Sequence, residues 1–208
     1  NAGTRTAADI DYLRANGQIG YLATRTQPWL LAPFGFLAAV GMPSPTVPDA
    51  PTPASRVLLA RVLRWIANNL DAGLTYGRSG DFRLDVWVDA SHGQEIHHTA
   101  TGACESRSGG FVCANGAAIA AFSSAQATTA LSTFEAELYA LTHAVRMALA
   151  LRRLVGFLVG CTLPPSRVYC DNMSVVMQLR KRDLSARSRH IRVQVGFLVD
   201  AVDSGEIA

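Results

Sequence analysis

The sequence predicts an α/β protein in which a mixed sheet is flanked by helices and preceded by a small helical segment. Three observations support this fold class. Apolar and polar residues alternate from Leu84 to Asp89, as they do in a half-buried strand. A long stretch from Thr133 to about Val159 has the periodicity of a helix. A short apolar strand at residues 167–170 follows that helix, and strands that alternate with helices are typical of α/β proteins.

The N-terminal part is predicted to be helical. We expect helices at residues 7–23, from Pro28 onward and at about 53–70, because proline is tolerated in the first turn and apolar residues recur at helical spacing. The uncharged stretch 28–42 is too short to cross a bilayer and is predicted to be a buried helix. Glycines near residues 73–80 indicate a linker. The predicted domains are therefore 1–80 and 81–208.

The second domain is predicted to hold the sheet. Strands are expected at residues 82–89, 99–105, 109–114 and 117–122, with a bend at Ser108, Gly109 and Gly110, where two glycines favour a turn. After the long helix and the strand 167–170, two more helices are expected near 172–181 and 187–203.

Cysteine spacing and charge limit the function classes. The four cysteines lack a C-x-x-C spacing, so neither a zinc site nor a disulfide framework is predicted, and a reducing intracellular setting fits. Basic residues concentrate in residues 146–192, where the acidic residues are Asp171 and Asp183. This stretch is either a phosphate-binding face or a solvated helix surface, and the charge pattern alone leaves both open.

Three carboxylates are candidates for a shared site. Asp89 and Asp171 each end a predicted strand, and Glu137 lies in the first turns of the long helix. Glu135 has an ordinary structural task, since Ser132 and Glu135 form a capping box. Glu137 faces about 200° away from Glu135 and lies near the packed side of the helix. It either pairs with an arginine or stays at the surface, or it converges with the two aspartates on divalent cations.

Five motifs, in one order along the chain, resemble the ribonuclease H domain of copia-type retrotransposons. They are residues 88–93 (VDASHG), 106–112 (SRSGGFV), 130–141 (ALSTFEAELYAL), 168–174 (VYCDNMS) and 188–191 (SRHI). Residues 18–28, 61–66 and 73–76 are similar to the segment that connects polymerase and ribonuclease H in those polyproteins. The resemblance implies a ribonuclease H-like sheet after a reverse transcriptase connection segment.

This resemblance implies an activity and a set of site residues. Ribonuclease H cuts the RNA strand of an RNA–DNA hybrid with two divalent ions, Mg²⁺ or Mn²⁺. Asp89, Glu137 and Asp171 would be the catalytic and metal-binding carboxylates, with Asp89 bridging both ions. Polar and basic residues after the second aspartate would bind nucleic acid: Asn172, Arg180, Lys181, Arg182, Arg187 and Arg189.

The resemblance, the cysteine usage and the apolar N-terminal segment together predict partners and a location. The expected partners are the hybrid and the polymerase domain of the same polyprotein, with further subunits at the apolar N-terminal segment and no membrane. The expected location is intracellular, in the cytoplasm or nucleus. In the family a fourth aspartate follows the motif matched by residues 205–207, and here only Ala208 follows. The domain is therefore expected to be C-terminally incomplete, and the alternative function is a catalytically inactive, retroelement-derived structural or binding subunit.

Overall fold

The chain folds into two compact units. The computed structural model describes residues 7–43, 48–77, 82–96, 104–182 and 189–208. The first unit comprises Asn1–Leu74 with Glu95–Cys104, and the second comprises Thr75–Gln94 with Glu105–Ala208. The predicted domain boundary after residue 80 stays a prediction.

The first unit is helical, and its helices pack around a small apolar core. It contains helix α1 (Ala7–Arg25), a 3₁₀ turn (Pro28–Leu30), α2 (Leu31–Val40) and α3 (Pro53–Ala67). The Thr52 hydroxyl caps α3 by accepting from the Ser55 N–H at 3.2 Å, and Pro53 occupies the first turn. The core includes Tyr12, whose hydroxyl donates to the Leu37 carbonyl at 2.9 Å. Among the described residues, no helix is long and apolar enough to cross a membrane.

The second unit contains a four-stranded mixed sheet. Its strands are β1 (Leu84–Ile96), β2 (Cys104–Ala114), β3 (Ala117–Ala125) and β4 (Arg167–Cys170), in the spatial order β3-β2-β1-β4. β4 runs parallel to β1, and β3 runs antiparallel to β2. The predicted α/β class, a mixed sheet flanked by helices, is confirmed.

Three helices accompany the sheet: α4 (Thr133–Val159), α5 (Met173–Lys181) and α6 (Arg189–Asp203). One side of α4 buries small and branched side chains that share a core with the sheet and with α6. Alternate residues of β1 point into that core, as the alternating sequence predicts. The fully buried members of this core are Leu84, Val86, Val112, Leu138, Ala140, Ala144, Val145, Ala148, Val195 and Leu198.

The predicted bend at Gly109 and Gly110 is wrong, because β2 continues through both residues to Ala114. A Cβ atom at Gly110 would lie 2.7 Å from the Trp87 carbonyl oxygen and 2.9 Å from the Phe122 ring. Glycine here permits close approach within the sheet, which is its other common role in strands. Part of the predicted strand 99–105 lies outside the described residues.

β1 also differs from the expectation, since it runs through Asp89 to Ile96 instead of ending on the aspartate. Its pairing with β4 does end there: Val88 is level with Cys170, the last residue of β4. Asp89 therefore lies immediately beyond the paired part of the two strands, although it lies within β1.

Candidate metal centre

Asp89 and Asp171 lie at the same end of two neighbouring parallel strands. Val88 and Cys170 form the last pair in the register of β1 and β4, and each is followed directly by an aspartate. Parallel strands point the same way, so the residues that follow their last pair share one edge of the sheet. Both aspartates are exposed.

Glu137 reaches this edge from the buried side of α4. The side chain is only 4% exposed. One hydrogen bond comes from the Ala90 backbone N–H. The Oε2 atom is buried and has no hydrogen-bond partner among the described residues. An unsatisfied buried carboxylate oxygen is costly, so the position of Glu137 is unusual for a purely structural residue.

The electrostatics of Glu137 reflect its surroundings. Burial raises the pKa of this carboxyl to about 7, and the negative charges of Asp89 and Asp171 act in the same direction. The Ala90 N–H opposes the shift by stabilising the charged form. Glu137 does not stay at the surface, because it is buried. The charged side chains that shift its pKa are Asp89 and Asp171, so its environment is not that of a carboxylate paired with an arginine.

Three ligand-type side chains meet at this edge: Glu137, Cys170 and Asp171. One donor atom from each lies within 4.8 Å of the other two. Asp89 is not a member of this cluster and acts on it through its charge. The roles of Asp89, Glu137 and Asp171 as metal ligands stay a prediction. Sequence reasoning missed Cys170, because the cysteines lack the C-x-x-C spacing that would indicate a metal site.

An open groove of about 760 Å³ runs along the outer sheet face beside this edge. Its wall includes Trp87, which stacks on Phe111 (ring centroids 5.2 Å apart) and on Tyr169 (4.9 Å). Asp89, Asp171 and Arg180 also line the groove. The carboxylate edge is therefore accessible to solutes from this side.

Glu135 belongs to a separate network, with a partner that the sequence did not reveal. Its Oε1 accepts from the Tyr139 hydroxyl at 2.6 Å and lies 2.8 Å from His190 Nε2. The Ser132 hydroxyl accepts from the Glu135 N–H at 3.2 Å, as predicted. The return bond comes from the Leu131 N–H at 2.9 Å, whereas the capping box predicted Ser132.

The pKa values of this network follow from its hydrogen bonds. Burial opposes ionisation of Glu135, but bonds from Tyr139, His190 and Leu131 outweigh it, so the pKa of Glu135 is lowered. Burial and the bond to Glu135 raise the pKa of Tyr139 to about 12. Glu135 is thus a satisfied structural carboxylate, in contrast to Glu137.

The predicted nucleic-acid-binding residues occupy separate positions. Asn172 caps α5, and its Oδ1 accepts from the Ser174 N–H at 3.0 Å and from the Val175 N–H at 3.2 Å. Arg182 pairs with Asp203. Three other predicted residues are exposed: Arg180 and Lys181 in the last turn of α5, and Arg189 at the start of α6. Their role in binding nucleic acid stays a prediction. Arg187 lies outside the described residues.

The remaining histidines do not join the carboxylate cluster in the part of the chain that is described. His92 Nδ1 lies 3.3 Å from the Ser106 hydroxyl oxygen. His143 packs on Phe122, with ring centroids 4.3 Å apart. The pair at residues 97–98 lies outside the described residues.

Comparison with known proteins decides the family. No protein-family model matches the chain. The chain is similar to a protein of Plasmopara viticola named secreted RxLR effector protein 161, with 34% identity over 140 residues. The matched region is 67% of this chain and 90% of the relative. The chain belongs to the family of this effector.

Membership of this effector family corrects the assignment to copia-type ribonuclease H. The relative is a secreted effector. The expected retrotransposon origin, hybrid-cleaving activity and retroelement-derived alternative are therefore wrong. The expected partners, an RNA–DNA hybrid and a polymerase domain, are wrong for the same reason, and so is the intracellular location. Short motifs around acidic residues describe a local arrangement, and an arrangement of this kind does not specify what a protein does.

Proposed function

We propose that this chain is a secreted effector that binds a divalent cation, Mg²⁺ or Mn²⁺, at the carboxylate edge formed by Glu137 and Asp171, with Asp89 beside it. The observation that supports this proposal most strongly is the Glu137 Oε2 atom, which is buried and lacks a hydrogen-bond partner among the described residues. A bound cation would satisfy this oxygen.

The charge balance of the edge supports a cation. Glu137 is buried beside two aspartates, and the mutual repulsion of these acids contributes to its raised pKa. Like charges held together without compensation are unfavourable, and a divalent ion between them replaces repulsion by attraction. Oxygen donors suit hard cations such as Mg²⁺, which commonly keep several waters in their coordination shell.

The proposal specifies one ion at this edge of the sheet. The cluster that lies within 4.8 Å includes Glu137 and Asp171 but not Asp89. This ion would lie between Glu137 and Asp171. The expected pair of ions bridged by Asp89 stays a prediction.

The effector role of this proposal comes from the family. The relative's name specifies a secreted protein with an Arg-x-Leu-Arg sequence. Residues 61–64 of this chain read Arg-Val-Leu-Arg and lie in α3. Arg61 and Arg64 are exposed and Leu63 is 41% exposed, so the tetrapeptide is accessible on its helix.

Calorimetric titration with Mn²⁺ and Mg²⁺ tests the cation site. We expect saturable binding by the natural sequence and clear weakening in Glu137→Gln and Asp171→Asn. Asp200→Asn is the matched control, because it removes an exposed acid from α6 and should leave the affinity unchanged. Equal affinity in Glu137→Gln and the natural sequence would disprove the site, and circular dichroism would establish that each variant is folded.

A further inference from the structure

The Cys170 side chain lies beside the two carboxylates of the proposed cation site. It is the last residue of β4, and its pairing with Val88 puts its side chain on the helix-facing side of the sheet. Glu137 approaches from that same side. The Cys170 sulfur lies within 4.8 Å of a carboxylate oxygen of Glu137 and of Asp171.

Sequence spacing gave no sign of this arrangement. A thiol-containing metal site is usually inferred from closely spaced cysteines, and this chain has none. Here the three donors come from α4, from the end of β4 and from the residue after it. The buried, unpartnered Glu137 oxygen is a separate observation that points to a ligand at the same place.

We infer that the site is a mixed thiolate–carboxylate centre that selects a zinc-class cation over Mg²⁺, with the Cys170 sulfur as the selecting ligand. This inference rests on the proposed cation site and specifies which ions it prefers. Thiolate ligands favour softer cations such as Zn²⁺, whereas Mg²⁺ is bound by oxygen donors. Binding releases the Cys170 thiol proton to solvent, since the thiolate is the ligand.

The donor spacing suits such an ion. Zn²⁺ binds sulfur at about 2.3 Å and carboxylate oxygen at about 2.0–2.2 Å in a tetrahedron, which places neighbouring donors roughly 3.5 Å apart. The donors in this chain lie within 4.8 Å of one another, a separation that a small side-chain rotation can shorten to this spacing. Three protein ligands leave a fourth position, and the adjoining groove gives water access to it.

Optical titration with Co²⁺, a spectroscopic substitute for Zn²⁺, tests this inference. We expect a sulfur-to-cobalt charge-transfer band in the natural sequence and in Cys161→Ser, which removes an exposed free cysteine outside the cluster. Cys170→Ser and Cys170→Ala should both lose the band. Loss of an outer-shell partner commonly costs about 10–100-fold in metal affinity, so loss of Cys170 should weaken Zn²⁺ binding at least as much.

Mn²⁺ titration of the same variants separates this inference from the proposed function. Retained Mn²⁺ binding together with a lost cobalt band in folded Cys170→Ser supports both. Mn²⁺ binding by the natural sequence without any cobalt–sulfur band, or with a band that survives in Cys170→Ser, overturns the role of Cys170 and leaves the cation site standing. Absence of both Mn²⁺ and Co²⁺ binding by the natural sequence overturns both.

Discussion

A carboxylate oxygen of Glu137 and one of Asp171 lie within 4.8 Å of each other, although the first belongs to α4 and the second follows β4. Glu137 is buried and Asp171 is exposed. The site therefore has one buried carboxylate, from Glu137, and one carboxylate that lines the groove on the outer sheet face, from Asp171.

Metal-free protein should lose stability as the pH rises from about 4.5 to about 7. The unfolded chain releases the Glu137 proton near its ordinary pKa of 4.5, whereas the folded protein retains it until about 7. The unfolded state is therefore favoured progressively across this window, by about 3 kcal/mol in total. Denaturant titrations at several pH values in a chelator measure the change.

Glu137→Gln removes this titration and is the matching variant. Its free energy of unfolding should change less over the same pH window and should exceed that of the natural sequence above pH 7. A fall of equal size in both proteins would show that the pH dependence arises elsewhere.

Replacing either neighbouring aspartate should lower the pKa of Glu137. Asp89→Asn and Asp171→Asn each remove a negative charge that helps to raise it. Carboxyl NMR titration of Glu137 in metal-free protein reads the effect directly. Asp200→Asn changes the net charge equally and should leave the value near 7. An unchanged Glu137 pKa in both aspartate variants would contradict the electrostatic account of this edge.

Gly110→Ala should destabilise the sheet, whereas Gly109→Ala should have a small effect. A Cβ atom at Gly110 would meet the Trp87 carbonyl oxygen at 2.7 Å, but at Gly109 the nearest atoms are at 4.0 Å. Backbone atoms cannot move aside as a flexible side chain can, so we expect a loss of about 1–3 kcal/mol at Gly110. Chemical denaturation measures the stability of both variants. Similar denaturation midpoints for the two variants would contradict the close approach of Gly110 to the Trp87 backbone.

His190→Ala should destabilise the protein by about 1 kcal/mol. The substitution removes the 2.8 Å contact with the buried Glu135 carboxylate, and the imidazole is 55% exposed, which limits the loss. Arg192→Ala is the control, since it truncates an exposed side chain of the same helix. A double-mutant cycle with Glu135→Gln measures the coupling, and zero coupling energy would contradict the contact.

The sequence predicts the second unit well where periodicity is strong. The alternation in β1 and the helical pattern of α4 arise because the apolar residues of both elements face one shared core. The helix α4 and the apolar strand β4 both lie at their predicted positions. The bend at Gly109 and Gly110 failed because glycine serves both turns and close strand contacts. Only the neighbouring strands distinguish these two uses.

The sequence also indicated part of the candidate site, because some of its residues lie at the ends of periodic elements. Strand ends and the helix start made convergence of Asp89, Glu137 and Asp171 one of the open alternatives. The approach of Cys170 to the acids and of His190 to Glu135 depends on tertiary packing, which local spacing does not encode. Function was predicted least well, because motifs around acids describe ligand geometry and are silent about the biological role.

The most direct test is a crystal structure of the protein with Mn²⁺, in which anomalous scattering locates the ion. We expect a peak about 2 Å from a carboxylate oxygen of Glu137 and from one of Asp171. A peak elsewhere, or no peak at this edge when Mn²⁺ is in excess, would contradict the proposed cation site.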